Sequence, residues 1–213
     1  MRDRQAPLNE FQPFGKIARL RRSCLITEKI DGTNAAVTVQ QIADYEPPFD
    51  DDTEVCRWYD PAGDQFIIRA QSRNQFITPQ RDNAGFARWV YDHAAELVGL
   101  GEGRHYGEWW GQGIQRRYGL DHKRFSLFNA ARWGDDTGNT RPSCCHVVPV
   151  LYEGIFTTEA VDLALEQLRA SGSLAAPGFD RPEGVIVYQV ASKTYGKVLL
   201  ENDEIPKSVA GAS

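Results

Sequence analysis

The segment Thr27–Asn34, with the sequence TEKIDGTN, places Lys29 at the end of an apolar run and directly before an Asp-Gly turn. A neutral lysine amine is a nucleophile that can form a covalent intermediate. With the ordinary lysine pKa of about 10.4, only about four amines in ten thousand are neutral at pH 7. Lys29 would therefore need desolvation or a nearby cation. The pattern Lys-x-Asp-Gly is weak alone, because it arises by chance in roughly 5% of chains this long.

Three later segments each place a charged residue among glycine and apolar residues, as the first segment does with Lys29. Glu108 lies between aromatic residues and glycines in the sequence HYGEWWG, and Glu183 heads the apolar run EGVIVY. Lys197 follows in the sequence YGKV. Each residue alone is compatible with an ordinary surface charge at a strand end. Their order along the chain, lysine, carboxylate, carboxylate and lysine, is what makes them informative.

This order resembles the covalent nucleotidyltransferases, which comprise ATP-dependent RNA ligases, DNA ligases and mRNA capping enzymes. Within that superfamily the chain is most similar to the RNA ligase 2-type enzymes of phages and bacteria. Three features favour this branch: the lead-in PFGKI at residues 13–17 with Leu20, Asn34 in the form KxxGTN, and Arg73 in the segment QSRN. The resemblance spans residues 13–205, nearly the whole chain.

The resemblance implies an α+β fold, an ATP-grasp-like ligase adenylation domain with antiparallel sheets flanked by a few helices. It also implies ATP as cofactor, with AMP held covalently on Lys29, and Mg²⁺ or Mn²⁺ as the metal. In this chemistry the lysine attacks the α-phosphate of ATP, AMP passes to an RNA 5′-phosphate, and a 3′-hydroxyl then displaces it. Splitting one difficult step into easier ones is the gain of a covalent intermediate.

The family also implies roles for individual residues. Lys29 would be the nucleophile, and Lys197 would hold the α-phosphate in the transition state. Glu108 would bind the ribose hydroxyls, Phe128 would stack on adenine, and Glu183 would position the metal. The implied nucleotide-binding residues are Glu28, Lys29, Ile30, Asn34, Arg73, Glu108, Phe128, Glu183 and Lys197. Asp31 and Gly32 would shape the turn; Asp31 and Asn34 are also frequent in ordinary turns.

The sequence departs from the family pattern in two places. The last motif commonly has two lysines spaced K-x-K, but Leu199 stands where the second is expected. Lys193 is an alternative to Lys197, although its neighbours suit a buried strand less well. The chain ends at residue 213, so we expect a single adenylation domain over residues 1–213 with no appended OB-fold or other C-terminal domain.

Without such a domain, the grip on RNA would have to come from the domain's own surface or from a protein partner. Two basic clusters are candidates for contact with RNA ends that carry a 5′-phosphate and a 3′-hydroxyl. They are Arg19, Arg21 and Arg22, and Arg116, Arg117, Lys123 and Arg124. Two alternatives stay open: a nucleotidyltransferase with another acceptor, such as DNA ends or a capping substrate, and a non-ligating domain that binds nucleotide or RNA.

Hydrophobic patterning predicts the elements that must position these residues. Strands are expected over 24–29, 35–40, 66–70, 124–132, 146–155, 184–190 and 195–200, and helices over 84–98 and 158–170. The acidic, proline-rich segment 45–64 is expected to be a solvated loop. Irregular structure is expected over residues 1–15 and a frayed tail from Ile205.

The composition agrees with a globular enzyme. The chain has 213 residues, a hydrophobic fraction of 41% and a formal net charge of −5, which argues against a generally basic nucleic-acid-coating protein. No apolar run reaches the roughly 18 residues of a membrane span, and no secretory signal is present, so we expect a cytoplasmic protein. Cys24, Cys56, Cys144 and Cys145 lack zinc-site spacing and are predicted to be free thiols.

Overall fold

The structure is a computed structural model, and it describes residues 11, 13–42, 48–82, 84–201 and 203. Most of the predicted irregular start, residues 45–47 of the predicted acidic loop and the predicted tail from Ile205 lie outside the described residues. None of the helices in these ranges has the length and apolar composition needed to cross a membrane.

Strands dominate the described chain and alternate with a few short helices. The strands are β1 (Ser23–Lys29), β2 (Thr33–Ile42), β3 (Cys56–Tyr59), β4 (Gln65–Ser72), β5 (Phe76–Ile77), β6 (Gly103–Gly111), β7 (Lys123–Leu127), β8 (Cys145–Val147), β9 (Val150–Ile155), β10 (Gly184–Gln189) and β11 (Thr194–Leu199). The helices are α1 (Phe86–Asp92), α2 (Ala94–Leu97), α3 (Ala130–Trp133) and α4 (Thr158–Ser171), with 3₁₀ turns at Val98–Leu100 and Asp135–Thr137.

The smaller sheet has four antiparallel strands in the order β11-β10-β1-β9. Helix α4 packs on one face, where Leu165 and Leu168 meet Ile26 and Val185 in one buried cluster. Thr157 caps α4 by accepting a hydrogen bond from the backbone N–H of Ala160 at 3.1 Å. Because strand side chains alternate between faces, Lys29 of β1 projects from the face opposite α4.

The larger sheet has seven strands, in the order β3-β4-β2-β6-β7-β8 with β5 paired to β4. All pairs are antiparallel except β7 with β8. Helices α1 and α2 cover one face, and in that core the ring centroid of Phe86 lies 5.3 Å from that of Trp109 and 5.0 Å from that of Phe125. Two largely antiparallel sheets with few helices confirm the predicted α+β class.

The structure confirms most of the predicted strands within one to two residues, and helix α4 matches the predicted helix 158–170. The predicted helix 84–98 is instead broken into α1, α2 and a 3₁₀ turn. The break falls at His93, which has φ −110° and ψ 17° and ends α1 as it begins α2. The apolar periodicity continues across the break, which is why the sequence did not reveal it.

Two predicted strands are wrong in extent. The strand predicted over 124–132 ends at Leu127, because Asn129 accepts a hydrogen bond from the Arg132 backbone N–H at 3.1 Å and begins α3. The strand predicted over 146–155 is two strands in different sheets, since β8 pairs with β7 and β9 with β1. The chain crosses between the sheets at Pro149, whose carbonyl oxygen accepts from the Glu28 backbone N–H at 2.9 Å.

The acidic segment is less open than predicted. Its second half contains β3, which forms the edge of the larger sheet, and Glu54 is buried against Arg57 with a 2.9 Å contact between Oε2 and Nε. Strand β6 was not predicted at all, although residues 103–111 alternate between exposed and buried positions over most of their length. Strand β6 carries Glu108, so the site depends on an element that the sequence reading missed.

Candidate active site

Lys29 and Glu183 meet because of strand register. Lys29 is the last residue of β1 and pairs with Gly184, the first residue of β10. Glu183 directly precedes that glycine, and the Nζ atom of Lys29 contacts the Oε2 atom of Glu183. The two side chains are only 19% and 8% exposed. The antiparallel pairing of β1 with β10 therefore creates a shielded lysine–carboxylate pair from residues 154 positions apart.

Gly184 has a physical reason to follow Glu183. Its φ is +152°, which side chains rarely adopt, and a Cβ atom there would lie 2.2 Å from the carbonyl oxygen of Val198. A larger residue would push β11 away from β10. The Glu-Gly pair of this motif thus places a carboxylate at the strand end and lets the neighbouring strand approach closely.

Glu108 reaches the same place from the larger sheet. It lies in β6, opposite Asn34 of β2 and Ser126 of β7. Its Oε1 atom accepts a hydrogen bond from the Gly32 backbone N–H at 3.1 Å. A Cβ atom on Gly32 would lie 2.5 Å from the Trp109 carbonyl oxygen, so only glycine allows the turn after Lys29 to approach β6 this closely.

The environment of Glu108 makes its charge unfavourable. Burial, above all, raises the pKa of this carboxyl from 4.5 to about 7. The positive charge of Lys29 and the Gly32 N–H favour the ionised form, while the negative charges of Glu183 and Asp31 oppose it. Glu108 therefore titrates near neutral pH and is available to bind a cation or a hydroxyl group.

Lys197 lies on the same face of the smaller sheet as Lys29. The register places Thr27, Ile186 and Lys197 in one row, and Lys29, Gly184 and Leu199 in the next row of that face. Lys197 is exposed and Leu199 is half-buried.

The alternative lysine lies far from this row. Lys193 belongs to the turn between β10 and β11, with φ +55°. The turn follows Gln189, five residues and roughly 17 Å along β10 from Gly184. The geometry therefore favours Lys197 over Lys193 as the second lysine of the site.

Glu28 has a different environment from its neighbour Lys29. Its carboxylate is buried, accepting from Ser173 Oγ at 2.5 Å and from the backbone N–H groups of Leu174 at 2.8 Å and Ala175 at 2.9 Å. Burial raises the pKa of Glu28, and these hydrogen bonds oppose that rise. The side chain thus anchors the segment after α4 beneath β1, which leaves backbone groups as the route by which Glu28 could contact a nucleotide.

The remaining predicted residues surround this centre at varied distances. Ile30 is buried in a cluster with Trp110 and Tyr118, and the half-buried ring of Phe128 packs against the same cluster. Arg73 is exposed and follows the end of β4, whose last residue pairs with Ala35, the neighbour of Asn34. The fold therefore gathers Lys29, Glu108 and Glu183 closely and leaves Arg73 at the margin.

Arg116 connects both sides of the Lys29–Glu183 pair. Its Nε atom donates to Asp31 Oδ2 at 3.1 Å, and its Nη1 atom donates to the carbonyl oxygens of Arg181 at 2.9 Å and Pro182 at 3.4 Å. One guanidinium group thus joins the turn after Lys29 to the segment before Glu183. The Tyr118 hydroxyl, which accepts from the Asp31 backbone N–H at 2.8 Å, fixes the same turn.

Arg116 belongs to a basic cluster that is a candidate for RNA contact, and in the structure its guanidinium group also makes internal hydrogen bonds. Within that cluster, Lys123 also donates to the Ala84 carbonyl oxygen at 2.7 Å and Arg124 to the Ala175 carbonyl oxygen at 3.2 Å. The loop is strained, since Gln115, Arg117 and Tyr118 have φ values of 42°, 60° and 51°. The hydrophobic pattern of residues 112–122 does not predict the contact of Arg116 with Asp31, because the two residues are 85 positions apart in the chain.

The comparisons with known proteins give the family of the chain and bear on its fold. A family model described as RNA ligase matches residues 22–201. A solved RNA ligase of Naegleria gruberi, a mutant with AMP and Mn, is 19% identical with a TM-score of 0.51, covering 84% of this chain and 50% of that one. Another mutant of it, with ATP and Mn, is 18% identical with a TM-score of 0.49, covering 89% and 53%.

These matches cover only part of the solved ligases and have low sequence identity. The chain spans about half the length of the solved ligases that it matches. The structural likeness at 19% identity bears on the fold alone. No curated protein matches the chain in sequence.

Proposed function

The chain belongs to the RNA ligase family, and from that premise we propose that it is an ATP-dependent RNA ligase that carries AMP on Lys29. The observation that carries the proposal is the shielded contact of Lys29 with Glu183, next to the buried carboxyl of Glu108. A nucleophilic lysine must lose a proton, and Glu183 is a carboxylate in direct contact with the Lys29 Nζ atom that can accept it.

The proposed reaction proceeds in three balanced steps. The neutral amine of Lys29 attacks the α-phosphorus of ATP, a nitrogen–phosphorus bond forms, pyrophosphate leaves with the bridging oxygen, and the nitrogen releases a proton. An oxygen of an RNA 5′-phosphate then attacks the same phosphorus, the nitrogen–phosphorus bond breaks, and Lys29 leaves with a regained proton as an amine. A 3′-hydroxyl finally attacks the activated 5′-phosphate, loses its proton and expels AMP. Each step exchanges one bond at phosphorus, so no oxidant or reductant is needed.

The site suits a hard divalent cation. Glu108 has a raised pKa in part because Glu183 and Asp31 are negative, so all three carboxylates lie within electrostatic range of one another. Mg²⁺ and Mn²⁺ prefer such oxygen ligands. We propose Glu183 as the principal metal-positioning residue. A bound divalent ion would neutralise phosphate charge and favour the neutral form of a nearby amine.

The remaining residues receive roles consistent with their positions. Lys197, on the Lys29 face of the smaller sheet, would hold the α-phosphate. Glu108 would bind the ribose hydroxyls, and Phe128 would stack on adenine. Asn34, near the start of β2, and Arg73, just after β4, would contact phosphate. Glu28 and Ile30 would contribute backbone and packing around the base.

The proposed substrates are ATP and an RNA with a 5′-phosphate and a 3′-hydroxyl. A single adenylation domain over residues 1–213, a protein partner that supplies RNA grip and a cytoplasmic location remain predictions. The covalent step would take place at strands β1 and β10, because their pairing holds Lys29 next to Glu183.

The test is transfer of label from α-labelled ATP and, separately, GTP in the presence of Mg²⁺, followed by sealing of nicked RNA and nicked DNA duplexes. We expect a covalent band with ATP, its absence in Lys29→Ala, and an unchanged band in the matched control Lys193→Ala. We also expect RNA nicks to be sealed faster than DNA nicks. An intact-mass measurement shows whether the purified protein already carries AMP.

Each other outcome overturns a defined part of the proposal. A band with GTP alone would favour a capping guanylyltransferase, and faster sealing of DNA would favour a DNA ligase. No band and no preformed adduct would favour a non-ligating nucleotide- or RNA-binding domain. A band that persists in Lys29→Ala would remove Lys29 as the nucleophile.

A further inference from the structure

A second cluster of reactive side chains lies outside the residues assigned to the ligase site. His93, Glu96 and Cys144 each offer one potential ligand atom, and these three atoms lie within 4.8 Å of one another. The Nδ1 atom of His93 is 3.0 Å from the Oε1 atom of Glu96. The cluster thus combines a nitrogen, an oxygen and a sulfur donor at one point on the surface.

The fold brings these residues together from two segments. His93 ends α1 and begins α2, so it and Glu96 are three residues apart at the helix break. Cys144 lies in the segment directly before β8, about 50 positions further along the chain. The His93 ring also packs against Trp89, with ring centroids 5.0 Å apart. His93 and Glu96 are therefore neighbours by local spacing, and Cys144 joins them through the fold.

The two oxygens of Glu96 have different partners. Its Oε2 atom accepts from Ser143 Oγ at 2.5 Å and from the Cys144 backbone N–H at 3.2 Å. Its Oε1 atom faces His93. Ligands in metal sites are commonly held in this way, because hydrogen bonds to outer groups fix the orientation of the donor atom.

From this geometry we propose that His93, Glu96 and Cys144 bind a zinc ion, with water as the fourth ligand. Zinc accepts imidazole, carboxylate and thiolate ligands in a tetrahedral arrangement. With bonds of about 2.0 Å to nitrogen and about 2.3 Å to sulfur, the donor atoms of such a site lie about 3.5 Å apart. The donor atoms lie within 4.8 Å of one another, with His93 Nδ1 and Glu96 Oε1 at 3.0 Å, so zinc binding would have to shorten the longer separations by rotation of the side chains.

The donor set distinguishes this site from the proposed ligase centre. Carboxylates alone suit Mg²⁺ or Mn²⁺, whereas a thiolate with an imidazole suits zinc. The Sγ atom of Cys145 is 3.9 Å from that of Cys144 but is buried, so Cys144 is the thiol with access to the ion. Zinc binding would tie the α1–α2 break to the edge of the larger sheet and stabilise that contact.

The sequence reading predicted free thiols because Cys144 and Cys145 lack a second cysteine pair. The structure agrees that all four cysteines are free of disulfides. The partners of Cys144 are a histidine and a glutamate from a distant helix, and such a set has no spacing signature.

The test is a zinc titration of the metal-free protein in competition with a chromophoric chelator, together with the absorption spectrum of the Co²⁺-loaded protein. We expect one zinc per chain and a near-ultraviolet thiolate-to-cobalt band. Cys144→Ser and His93→Gln should each weaken zinc binding by at least about tenfold, since each removes a ligand. The matched controls are Cys56→Ser, a half-buried cysteine elsewhere in the larger sheet, and His122→Gln, which removes a histidine–aspartate pair without a thiol.

Equal zinc affinity in wild type and Cys144→Ser, or cobalt binding without a thiolate band, would overturn the proposal. If Cys144→Ser does not fold, the proposal can still be tested on the wild-type protein by cysteine modification with and without zinc. Zinc should slow maleimide modification of Cys144, measured by peptide mass spectrometry, and should leave the rate at Cys56 unchanged. Equal slowing at both cysteines, or no slowing at Cys144, would contradict the site.

Discussion

The two sheets present different kinds of carboxylate to the candidate active site. On the smaller sheet, Glu183 contacts the ammonium group of Lys29 directly. On the larger sheet, Glu108 is also shielded, but it accepts a hydrogen bond from the Gly32 backbone N–H, and its pKa is raised to about 7. Glu183 is thus paired with a positive charge, whereas burial of Glu108 disfavours its ionised form.

This difference suggests a division of work between the sheets. The smaller sheet holds Lys29, Glu183 and Lys197, the residues proposed for the covalent step. The larger sheet holds Glu108 and Asn34, proposed to recognise the nucleotide. Arg116 lies between the two, because it binds the turn that leads from β1 to β2 as well as the segment before β10. The following variants test whether the smaller sheet carries out the covalent step and the larger sheet recognises the nucleotide.

The largest effect is expected for Glu183→Gln. It removes the charge that contacts Lys29 and the proposed metal-positioning carboxylate, so adenylylation should slow by at least about 100-fold. Single-turnover label transfer measures the rate. The matched control Glu166→Gln, an exposed position on α4, should retain the wild-type rate. Wild-type adenylylation by Glu183→Gln would show that the smaller sheet does not hold the reactive carboxylate.

A similar but smaller loss is expected for Lys197→Ala, because Lys197 lies on the Lys29 face and is proposed to stabilise charge on the α-phosphate. Adenylylation should slow by about 30-fold, with the loss mainly in the rate at saturating ATP. Lys193→Ala is the control and should have little effect, since its turn lies roughly 17 Å along the strand. A larger loss for Lys193→Ala than for Lys197→Ala would reverse the assignment of the second lysine.

Arg116→Ala should slow adenylylation by about tenfold, because the turn after Lys29 and the segment before Glu183 lose their shared contact. As a positioning residue, Arg116 should affect the maximal rate more than the apparent affinity for ATP. Arg117→Ala, a neighbouring exposed arginine, is the control. If instead Arg116 acts through RNA, the variant would keep its adenylylation rate and lose affinity for nicked RNA.

The smallest effect is a pH-dependent shift in stability from Glu108. Because the folded-state pKa is raised from 4.5 to about 7, the folded protein binds more protons than the unfolded chain in that window. Stability therefore falls as pH rises through it. The Glu108→Gln variant has no group that titrates at this position. The difference in Tm between wild type and Glu108→Gln should therefore change with pH, and the wild type should lose roughly 5 °C relative to the variant between pH 5 and pH 8. A difference independent of pH would contradict the burial of Glu108.

The candidate site residues could be predicted from the order of short motifs along the chain and the family that this order resembles. Lys29, Glu108 and Glu183 stand in short patterns in which glycine is required for a close approach, and the structure gives that reason at Gly32 and Gly184. Helix α4 follows from its apolar spacing and its Thr157 cap. These features depend on neighbours in the chain or on steric demands that leave few residue types possible.

The parts that the sequence did not reveal depend on distant contacts. The exchange of sheets at Pro149 and the role of Arg116 each arise from contacts between segments far apart in the chain. Glu28 shows the same limit, since the family resemblance implies a nucleotide-binding residue while the Glu28 carboxylate accepts hydrogen bonds from residues 173–175. Charge and spacing alone do not distinguish a buried anchor from a binding group.

The most direct measurement supplies Lys29→Ala with ATP and nicked RNA, and separately with RNA whose 5′-phosphate already carries AMP. The final step does not use the lysine amine, so the variant should fail to label itself or to seal with ATP, yet should seal the activated RNA. That result would place the covalent step on Lys29 and leave the rest of the site intact. A covalent AMP adduct on Lys29→Ala would contradict the central claim.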